Sequence, residues 1–342
     1  MPLEIHVMLS APAPKATTNP YIVLLSRRLQ AHPDVVLSHF TWRAALTSRV
    51  DVFHAHWPEI LVSGATPLKK LVRQFLFSCL LVKFALTRTA IVRTMHNLEL
   101  PQGISRRETA LLRLFERRTD LRIRINATTR IPDHQPFETI LHGHYRDWFT
   151  AAVRPNPVQG QLTYFGLIRR YKGTETLIRA FSAISDRDPA LRLTVAGKPS
   201  TADLAGELAA LAVADDAVTL DPTFLSDGDL AKMVGHAHLV VLPYREMHNS
   251  GGALTALSLD RPVLVPDNEA NRALRNEVGD EWVKTYRGEL TPEHLVAAVE
   301  ATPLPFPGRP NLDRRDWATS TEDHVRAYAT ALGLKRDQSR GT

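Results

Sequence analysis

The amino-acid sequence predicts an α/β protein with two doubly wound parallel sheets. Short apolar runs of strand type alternate with helical patterns along the whole chain, and such alternation produces parallel sheets covered by helices on both faces. A length of 342 residues is enough for two domains with separate cores. The proline-rich, polar segment 153–161 has the composition of a linker. We therefore expect two sheet domains that face each other across a cleft.

The first half contains five predicted strands, and we expect it to form a domain over residues 1–155. The strands are the runs LEIHVML, VVLSHF, VDVFHAHW, AIVRTMH and LRIRINA, with helices at 20–31, 67–87 and 105–118.

The second half repeats this alternation and predicts a domain over residues 156–315. Its strands are QLTYFG, LRLTVAG, AVTLD, LVVLPY and PVLVP, with helices near 174–185, 202–213, 227–236 and 252–259. The remaining segment, 316–342, is predicted to be largely helical, with Trp317, Val325, Tyr328 and Leu332 as its apolar residues.

The composition is that of an ordinary globular protein, with 44% hydrophobic and 23% charged residues. Cys79 is the single cysteine, which excludes an internal disulfide framework and fits a reducing compartment. The first residues, MPLEIHVMLSAPAP, have no cationic segment before the apolar stretch, so they predict a strand and not a signal peptide. A cytoplasmic location is expected.

The chain is basic, with a net charge of +6, which leaves polyanions, phosphorylated ligands and anionic membranes as partners. In the segment 67–88, cations flank large apolar residues, as in a helix that lies on a membrane surface. Its apolar core is interrupted by Lys83 and is shorter than the roughly 20 residues of a spanning helix. The alternative is a buried helix with cationic ends, since the apolar residues occupy more than one face.

Three loops of the second half are expected at one edge of the predicted sheet. The first runs from Gly166 to the helix cap Thr174 and carries Arg169, Arg170 and Lys172. The second begins with Gly197. The third follows Tyr244 and contains Glu246 and the amide-rich run Asn249, Ser250, Gly251 and Gly252. In open α/β sheets, ligands bind beyond the carboxyl ends of the strands.

These loops combine cations with backbone amides at helix N-termini, an arrangement that suits a diphosphate. Charge-assisted hydrogen bonds contribute roughly 1.5–3 kcal/mol each, so a few of them account for micromolar binding, about 8 kcal/mol. A carboxylate at Glu246 fits if the ligand also carries hydroxyl groups, as a sugar does.

The stretch from Gly166 to Gly173 and the segment PYRE…SGG…ALS…RPV resemble the donor half of GT-B glycosyltransferases, close to family 4. The resemblance implies that Arg169 and Lys172 hold the diphosphate of a nucleotide sugar, and that Glu246 meets the donor sugar. It also implies a last helix that crosses back to the first domain. In family 4, two glutamates are separated by seven residues; here Met247 and Thr255 stand in that register. The variant SGG-x-LTALS-x-DRPV is similar to bacterial mannosyltransferases of xanthan-type exopolysaccharide assembly.

The first half supplies candidates for the acceptor side. In GT-B enzymes a histidine after a central strand reaches the donor sugar, and TMHN places His96 there. An inverting enzyme needs a general base opposite the leaving group, for which Glu59, Glu99 and His96 are candidates. A retaining enzyme needs none. Trp57 either stacks on an acceptor sugar or packs in the core.

No metal or other cofactor is expected. His54 and His56 alternate along a strand, but the sequence shows no third ligand, and GT-B enzymes generally use cationic side chains for the phosphates. Tyr145, Trp148 and Phe149 are expected to form a core near the hinge.

The predicted function is transfer of a sugar from a nucleotide diphosphate donor, GDP-mannose or a UDP-sugar, to a hydroxyl acceptor such as a lipid-linked saccharide. The enzyme would be cytoplasmic and peripheral on the membrane. A sugar-nucleotide epimerase of the same fold is the alternative, but it needs acid–base carboxylates in the second half, where only Glu246 is apparent. Nucleic-acid binding is disfavoured because the cations are scattered among acids and no binding motif is recognisable.

Overall fold

The computed structural model describes residues 4–97, 100–101, 103–132, 134–153, 155–245 and 251–340. The chain divides into two compact units. Unit 1 comprises residues 1–143 and 315–342, and unit 2 comprises residues 144–314. Each unit contains one six-stranded sheet in which all neighbouring strands are parallel. The predicted α/β class with two doubly wound sheets is confirmed.

The sheet of unit 1 has the strand order β2-β1-β3-β4-β5-β6. Its strands are β1 (Ile5–Leu9), β2 (Val35–His39), β3 (Val52–Ala55), β4 (Ala90–Met95), β5 (Leu121–Arg124) and β6 (Phe137–Thr139). Its helices, before the last one of the chain, are α1 (Pro20–Gln30), α2 (Trp42–Thr47), α3 (Glu59–Val62), α4 (Pro67–Thr87) and α5 (Arg106–Arg117). Phe53, Phe77, Phe84 and Phe115 form the centre of the core between the sheet and α4 and α5.

The sheet of unit 2 has the strand order β12-β11-β10-β7-β8-β9. Its strands are β7 (Gln161–Phe165), β8 (Arg192–Ala196), β9 (Val218–Asp221), β10 (Leu239–Val241), β11 (Val263–Pro266) and β12 (Val283–Tyr286). Its helices are α6 (Thr174–Ser185), α7 (Ala202–Val213), α8 (Asp227–His236), α9 (Gly251–Ser258), α10 (Glu269–Val278) and α11 (Pro292–Glu300). Because β7 lies between β10 and β8, the loops that follow these three strands are neighbours.

The last helix, α12 (Trp317–Arg340), belongs to unit 1. Trp317 and Tyr328 are fully buried there. Lys335 donates a hydrogen bond of 3.2 Å to the carboxylate of Asp120, which also accepts from the backbone N–H of Ile91 on β4. The end of the chain therefore completes the core of the unit in which the chain begins.

The boundary between the units lies twelve residues earlier than the expected 155/156 division. The segment from His144 to the start of the predicted linker at residue 153 therefore belongs to unit 2. The backbone N–H of Tyr145 donates to Ser258 Oγ at 2.8 Å, and the Pro155 carbonyl accepts from Arg261 at 2.8 Å. These hydrogen bonds, and the burial of Tyr145 and Phe149, hold the segment against α9 and its C-terminal end.

Helix α4 has two apolar faces. Gln74, Phe77, Leu80, Leu81 and Phe84 are buried in unit 1, whereas a second row of apolar side chains is exposed. The exposed row comprises Leu68, Leu71, Val72, Phe75, Val82 and Leu86. These residues are one, three, four or seven positions apart, and these spacings place them on one side of the helix as a stripe. No helix in the described part of the chain is both long and apolar enough to cross a bilayer.

Candidate functional site

The carboxyl ends of β7, β8 and β10 bring three loops of unit 2 together. The backbone N–H of Arg245, after β10, donates to the Tyr171 carbonyl at 2.8 Å. The same loop also contacts the loop after β8. The backbone N–H of Ile168 donates to the Lys198 carbonyl at 3.0 Å, and the backbone N–H of Ser200 donates to the Ile168 carbonyl at 2.9 Å. Backbone hydrogen bonds thus fix the loop after β7 to both of its neighbours.

Two glycines permit this close approach. Gly197 has φ +141°, and a Cβ atom there would lie 2.0 Å from the carbonyl oxygen of Gly166. Gly173 has φ +65°, and its Cβ would lie 2.5 Å from the Pro243 carbonyl oxygen. A side chain at either position would force backbone apart, because non-glycine residues avoid positive φ and the contacts are with rigid peptide groups. The predicted Gly197 is therefore a structural part of the site.

Lys172 supplies the central cation of these loops. Its Nζ lies 4.8 Å from the ring centroid of Tyr244, and a Cβ built on Gly166 would be 3.8 Å from Nζ. Burial, and to a lesser degree the charge of Arg169, lower the pKa of Lys172 to about 8. In the described part of the chain Lys172 has no carboxylate partner. The ammonium group is therefore held in place without being neutralised.

The two arginines before Lys172 have different surroundings. Arg170 forms an ion pair of 2.9 Å with Glu207, which also binds Arg179 at 2.8 Å. Arg169 is exposed and has no carboxylate partner among the described residues. Of the two arginines, Arg169 is therefore the one that can bind an anionic ligand. It is also the one that the sequence analysis assigned to the diphosphate.

Helix α9 begins at Gly251, the first described residue after the loop that follows β10. Gly251 and Gly252 are half-buried in the first turn, and Thr255 Oγ1 donates to the Gly251 carbonyl at 2.8 Å. A Cβ on Gly251 would be 3.4 Å from the hydroxyl of Tyr145. The other predicted ligands of this loop, Glu246, Asn249 and Ser250, lie outside the described residues.

In unit 1 the loops after β3 and β4 bring His56 and His96 together. Nδ1 of His56 is 3.1 Å from Nε2 of His96. Trp57 stacks on the His96 ring with centroids 4.3 Å apart and planes 18° apart. Trp57 therefore packs on the candidate catalytic histidine, and this contact engages one face of its indole.

His54 plays a structural role in the same cluster. Its Nδ1 is 2.8 Å from the hydroxyl of Tyr328 on α12, and its Nε2 is 2.8 Å from Thr94 Oγ1 on β4. Both ring nitrogens are therefore used inside unit 1. No group of three or more His, Cys, Asp or Glu residues in the described ranges is arranged to hold a metal ion.

Glu59 is the acidic candidate of unit 1 that lies among the described residues. Glu59 is the first residue of α3 and is half-buried. Its charge favours the protonated form of the buried Arg93 on β4, whose pKa burial lowers to about 10. Arg93 is also ion-paired with Glu116. Glu99 lies outside the described residues.

Sequence reasoning did not identify Tyr21 as a member of the histidine cluster. Its ring lies 5.2 Å from that of His96 and 4.7 Å from that of His142. The residue follows the N-cap Asn19 and Pro20 at the start of α1. The sequence around Tyr21 does not indicate that its ring packs against these histidines, because the contacts join residues more than seventy positions apart.

The sequence is similar to known glycosyltransferases. Residues 159–301 match the family described as glycosyl transferases group 1. A GDP-mannose:glycolipid 4-beta-D-mannosyltransferase of Xanthomonas campestris is 42% identical over 337 residues, which are 98% of this chain and 95% of that protein.

Solved structures share the fold at low sequence identity. The Anabaena HepE protein in complex with UDP and glucose has a TM-score of 0.58 and 11% identity over 98% of this chain and 99% of that one. Sucrose-phosphate synthase from Thermosynechococcus elongatus has a TM-score of 0.59 and 13% identity over 98% of each chain.

Proposed function

Because this chain belongs to the GT-B glycosyltransferases, in the family of the Xanthomonas mannosyltransferases, we propose that it transfers mannose from GDP-mannose to a glycolipid acceptor. The names of the relatives support this choice of donor and acceptor. The single observation that carries the donor site is the un-neutralised ammonium group of Lys172 above the Gly166 backbone.

In the proposed reaction an acceptor hydroxyl oxygen attacks C1 of the mannose. The bond between C1 and the diphosphate oxygen breaks, GDP leaves with the electron pair, and the hydroxyl proton passes to a base. The relatives are named for a β-linked product. GDP-mannose carries its diphosphate on the α face, so a β product requires a single displacement with inversion and a general base. Glu59, Glu99 and His96 are the candidates for that base.

The diphosphate is the group that gains charge in this reaction. We propose that Lys172, Arg169 and the amides of Gly251 and Gly252, together with Asn249 and Ser250, stabilise it, and that no metal ion takes part. Groups that are aimed at developing charge before the reaction starts lower the barrier without reorganisation. Glu246 is proposed to accept a hydrogen bond from a hydroxyl of the donor sugar.

Two measurements test the donor and the reaction type. Thermal-shift titration should show stabilisation by GDP-mannose and GDP at concentrations where UDP- and TDP-sugars have little effect; a ligand at a hundred times its dissociation constant adds about 2.7 kcal/mol. Incubation with the donor and no acceptor should leave the mannose unaltered at C2. A stronger shift with a UDP-sugar would refute the donor assignment, and an altered sugar would indicate an epimerase.

Metal independence is tested with the same assay. Activity in excess EDTA should equal activity in added Mg²⁺ or Mn²⁺, because the side chains and amides already offset the charge of the diphosphate. Loss of activity in EDTA that Mn²⁺ restores would contradict this part of the proposal.

We further propose that the exposed stripe of α4 lies on the membrane that carries the acceptor lipid. Leu68, Phe75 and Leu86 are 72%, 67% and 80% exposed, and burial of such side chains contributes about 1.5–3 kcal/mol each. Because the proposed acceptor is a lipid, the enzyme must reach a membrane surface, and this surface is the partner that we propose for the stripe. The exposed cations Lys69 and Arg88 on the same helix segment complement anionic headgroups.

The other cations of the segment are engaged within unit 1. Lys70 binds Glu108 at 2.5 Å, and the Lys83 ammonium donates to the carbonyls of Ala45 and Ser48 at 2.7 and 2.6 Å. Electrostatic attraction is therefore weaker than five free cations would give, and the apolar stripe should contribute most of the affinity.

Co-sedimentation with vesicles tests this surface. Replacing Phe75 and Leu86 by serine should reduce binding to phosphatidylglycerol vesicles at least tenfold, because it removes apolar area worth more than 1.4 kcal/mol. Phe224→Ser is the matched control, since Phe224 in unit 2 is 84% exposed. Equal loss in the control, or none in the double variant, would exclude α4 as the membrane contact.

A further inference from the structure

A pair of imidazole rings in unit 1 defines how His96 can act. His56 is 2% exposed, and its Nδ1 lies 3.1 Å from Nε2 of His96. The two residues follow adjacent strands, β3 and β4. His56 is also anchored through its backbone, whose N–H donates to Ser10 Oγ at 3.1 Å. His56 is therefore a fixed neighbour of His96.

Both rings are neutral at physiological pH. Burial lowers the pKa of His56 and of His96 well below the usual value, and neighbouring groups add to the effect. The nearby His54 further lowers the pKa of His56, and His142 and Arg93 further lower the pKa of His96. A neutral imidazole carries one N–H donor and one bare acceptor nitrogen. The hydrogen bond between the rings therefore has one donor and one acceptor, and it can run in only two directions.

The buried Nε2 atom of His56 decides between these directions. Among the described residues it has no hydrogen-bond partner, and it is shielded from solvent. A proton on this atom would leave a buried N–H without an acceptor, a situation that is rare in folded proteins. With Nε2 bare, the proton of His56 is on Nδ1, which donates to Nε2 of His96. His96 then accepts at Nε2 and must carry its own proton on Nδ1.

Two aromatic rings fix the orientation of His96 around this bond. Trp57 covers one face of the imidazole at 4.3 Å, and Tyr21 meets it edge-on at 5.2 Å with planes 86° apart. A ring flip would exchange Nε2 for a carbon atom opposite His56 and break the hydrogen bond. The orientation and the tautomer of His96 are thus set by the same three neighbours.

We infer that His56 is a positioning residue that holds His96 as its Nδ1–H tautomer, in which His96 can act as a hydrogen-bond donor and cannot act as a general base through Nε2. The consequence for catalysis rests on the proposed function: a donor suits an oxygen of the sugar or diphosphate, and the acceptor proton then passes to a carboxylate, Glu59 or Glu99. The tautomers themselves do not depend on the proposed function.

The first arm of the test therefore measures the tautomers directly and does not require enzymatic turnover. In full-length protein labelled with ¹⁵N-histidine, long-range ¹⁵N–¹H correlation spectra distinguish a bare from a protonated ring nitrogen. Spectra of the variants His56→Asn and His96→Asn assign the two rings among the 14 histidines. Both rings should show a bare Nε2 and a protonated Nδ1 at pH 7.5. A protonated Nε2 on either ring would overturn the inference.

The second arm measures turnover of GDP-mannose. His56→Leu removes the donor, and kcat should fall about 10–100-fold, as for loss of a partner that orients a functional histidine, with KM for the donor within twofold. His56→Asn places an amide near the position of Nδ1 and should restore most of kcat. His324→Leu is the control, since His324 is a buried histidine of the same cluster that bonds to the Ser320 carbonyl of its own helix.

The pH profile separates the donor role from the base role. If His96 donates, the acidic limb of kcat/KM is set by a carboxylate and stays in place in His56→Leu. A shift of that limb in His56→Leu, or full kcat in the same variant, would refute the inference. If the wild-type protein has no activity with GDP-mannose, the proposed donor is wrong, and the tautomers measured in the first arm still decide the role of His56.

Discussion

The ammonium group of Lys172 lies 4.8 Å from the ring centroid of Tyr244, so the loops that follow β7 and β10 share one cation. A cation over a tyrosine face gains about 0.5–2 kcal/mol, which holds the group in place without cancelling its charge. The contact with the ring thus restricts the position of the Lys172 ammonium group before any ligand binds.

Lys172→Ala should lower kcat about 10²–10³-fold, as for removal of one donor that stabilises developing charge, while the unfolding midpoint changes little. The measurement is steady-state transfer of mannose together with circular dichroism melting. Arg170→Ala is the matched control, because Arg170 is an exposed residue paired with Glu207; its kcat should stay within about twofold. Full activity in Lys172→Ala would remove the basis of the donor site.

Binding of GDP should weaken as the pH rises above 8. The pKa of Lys172 is about 8, so the lysine is cationic below this pH and must take up a proton on binding above it. Affinity should fall up to tenfold per pH unit, which is about 1.4 kcal/mol. Calorimetry at pH 9 in two buffers of different ionisation enthalpy should detect proton uptake. Lys172→Arg should flatten the profile between pH 7 and 9.5; the same slope in that variant would assign the effect to another group.

Gly197→Ala should destabilise unit 2. Its Cβ would lie 2.0 Å from the Gly166 carbonyl oxygen at φ +141°, and strain of this kind costs about 1–3 kcal/mol before the clash is counted. We expect the melting temperature to fall by at least 4 °C, given about 2–4 °C per kcal/mol for a unit of this size. Gly206→Ala, in an open position on α7, should raise it slightly. Unchanged stability in Gly197→Ala would show that the two loops do not need this contact.

Unit 1 should lose stability in mild acid. Burial lowers the pKa of His142 and of His324 to about 4, from 6.5. Between these values the unfolded chain binds more protons than the folded one, so the stability that is complete above pH 6.5 falls as the pH drops toward 4. Each group contributes about 1.4 kcal/mol per pH unit in this window. Urea unfolding at pH 7, 6 and 5 measures the slope, and His324→Gln should reduce it by one proton; an unchanged slope would contradict the assignment.

Much of the fold could be predicted because apolar runs mark buried parallel strands. Ten strands were identified in this way, but β6 and β12 were not. β6 has the sequence FET and exposed side chains, and β12, VKTY, has half-buried residues in its middle. Both lie at the edges of their sheets, where one side is unpaired and the apolar signal is weak.

The sequence could predict which loops at the strand ends contribute to the candidate site. Glycines and cations after β7 and β8 indicated the loops around Lys172, because parallel strands place their carboxyl ends at one edge. Contacts between particular atoms were not predictable. Trp57 was expected to stack on a sugar or to pack in the core, and it stacks on His96. Lys70 and Lys83 counted as surface cations in the sequence, yet their ammonium groups bind Glu108 and backbone carbonyls.

The return of α12 to unit 1 has a consequence for biosynthesis. The hydroxyl of Tyr328 and the ammonium group of Lys335 complete hydrogen bonds to His54 and Asp120, which are translated more than two hundred codons earlier. Unit 2 is contiguous in the chain and can fold while it emerges from the ribosome. Unit 1 cannot complete its core until unit 2 and then α12 have been synthesised, although its own synthesis begins first.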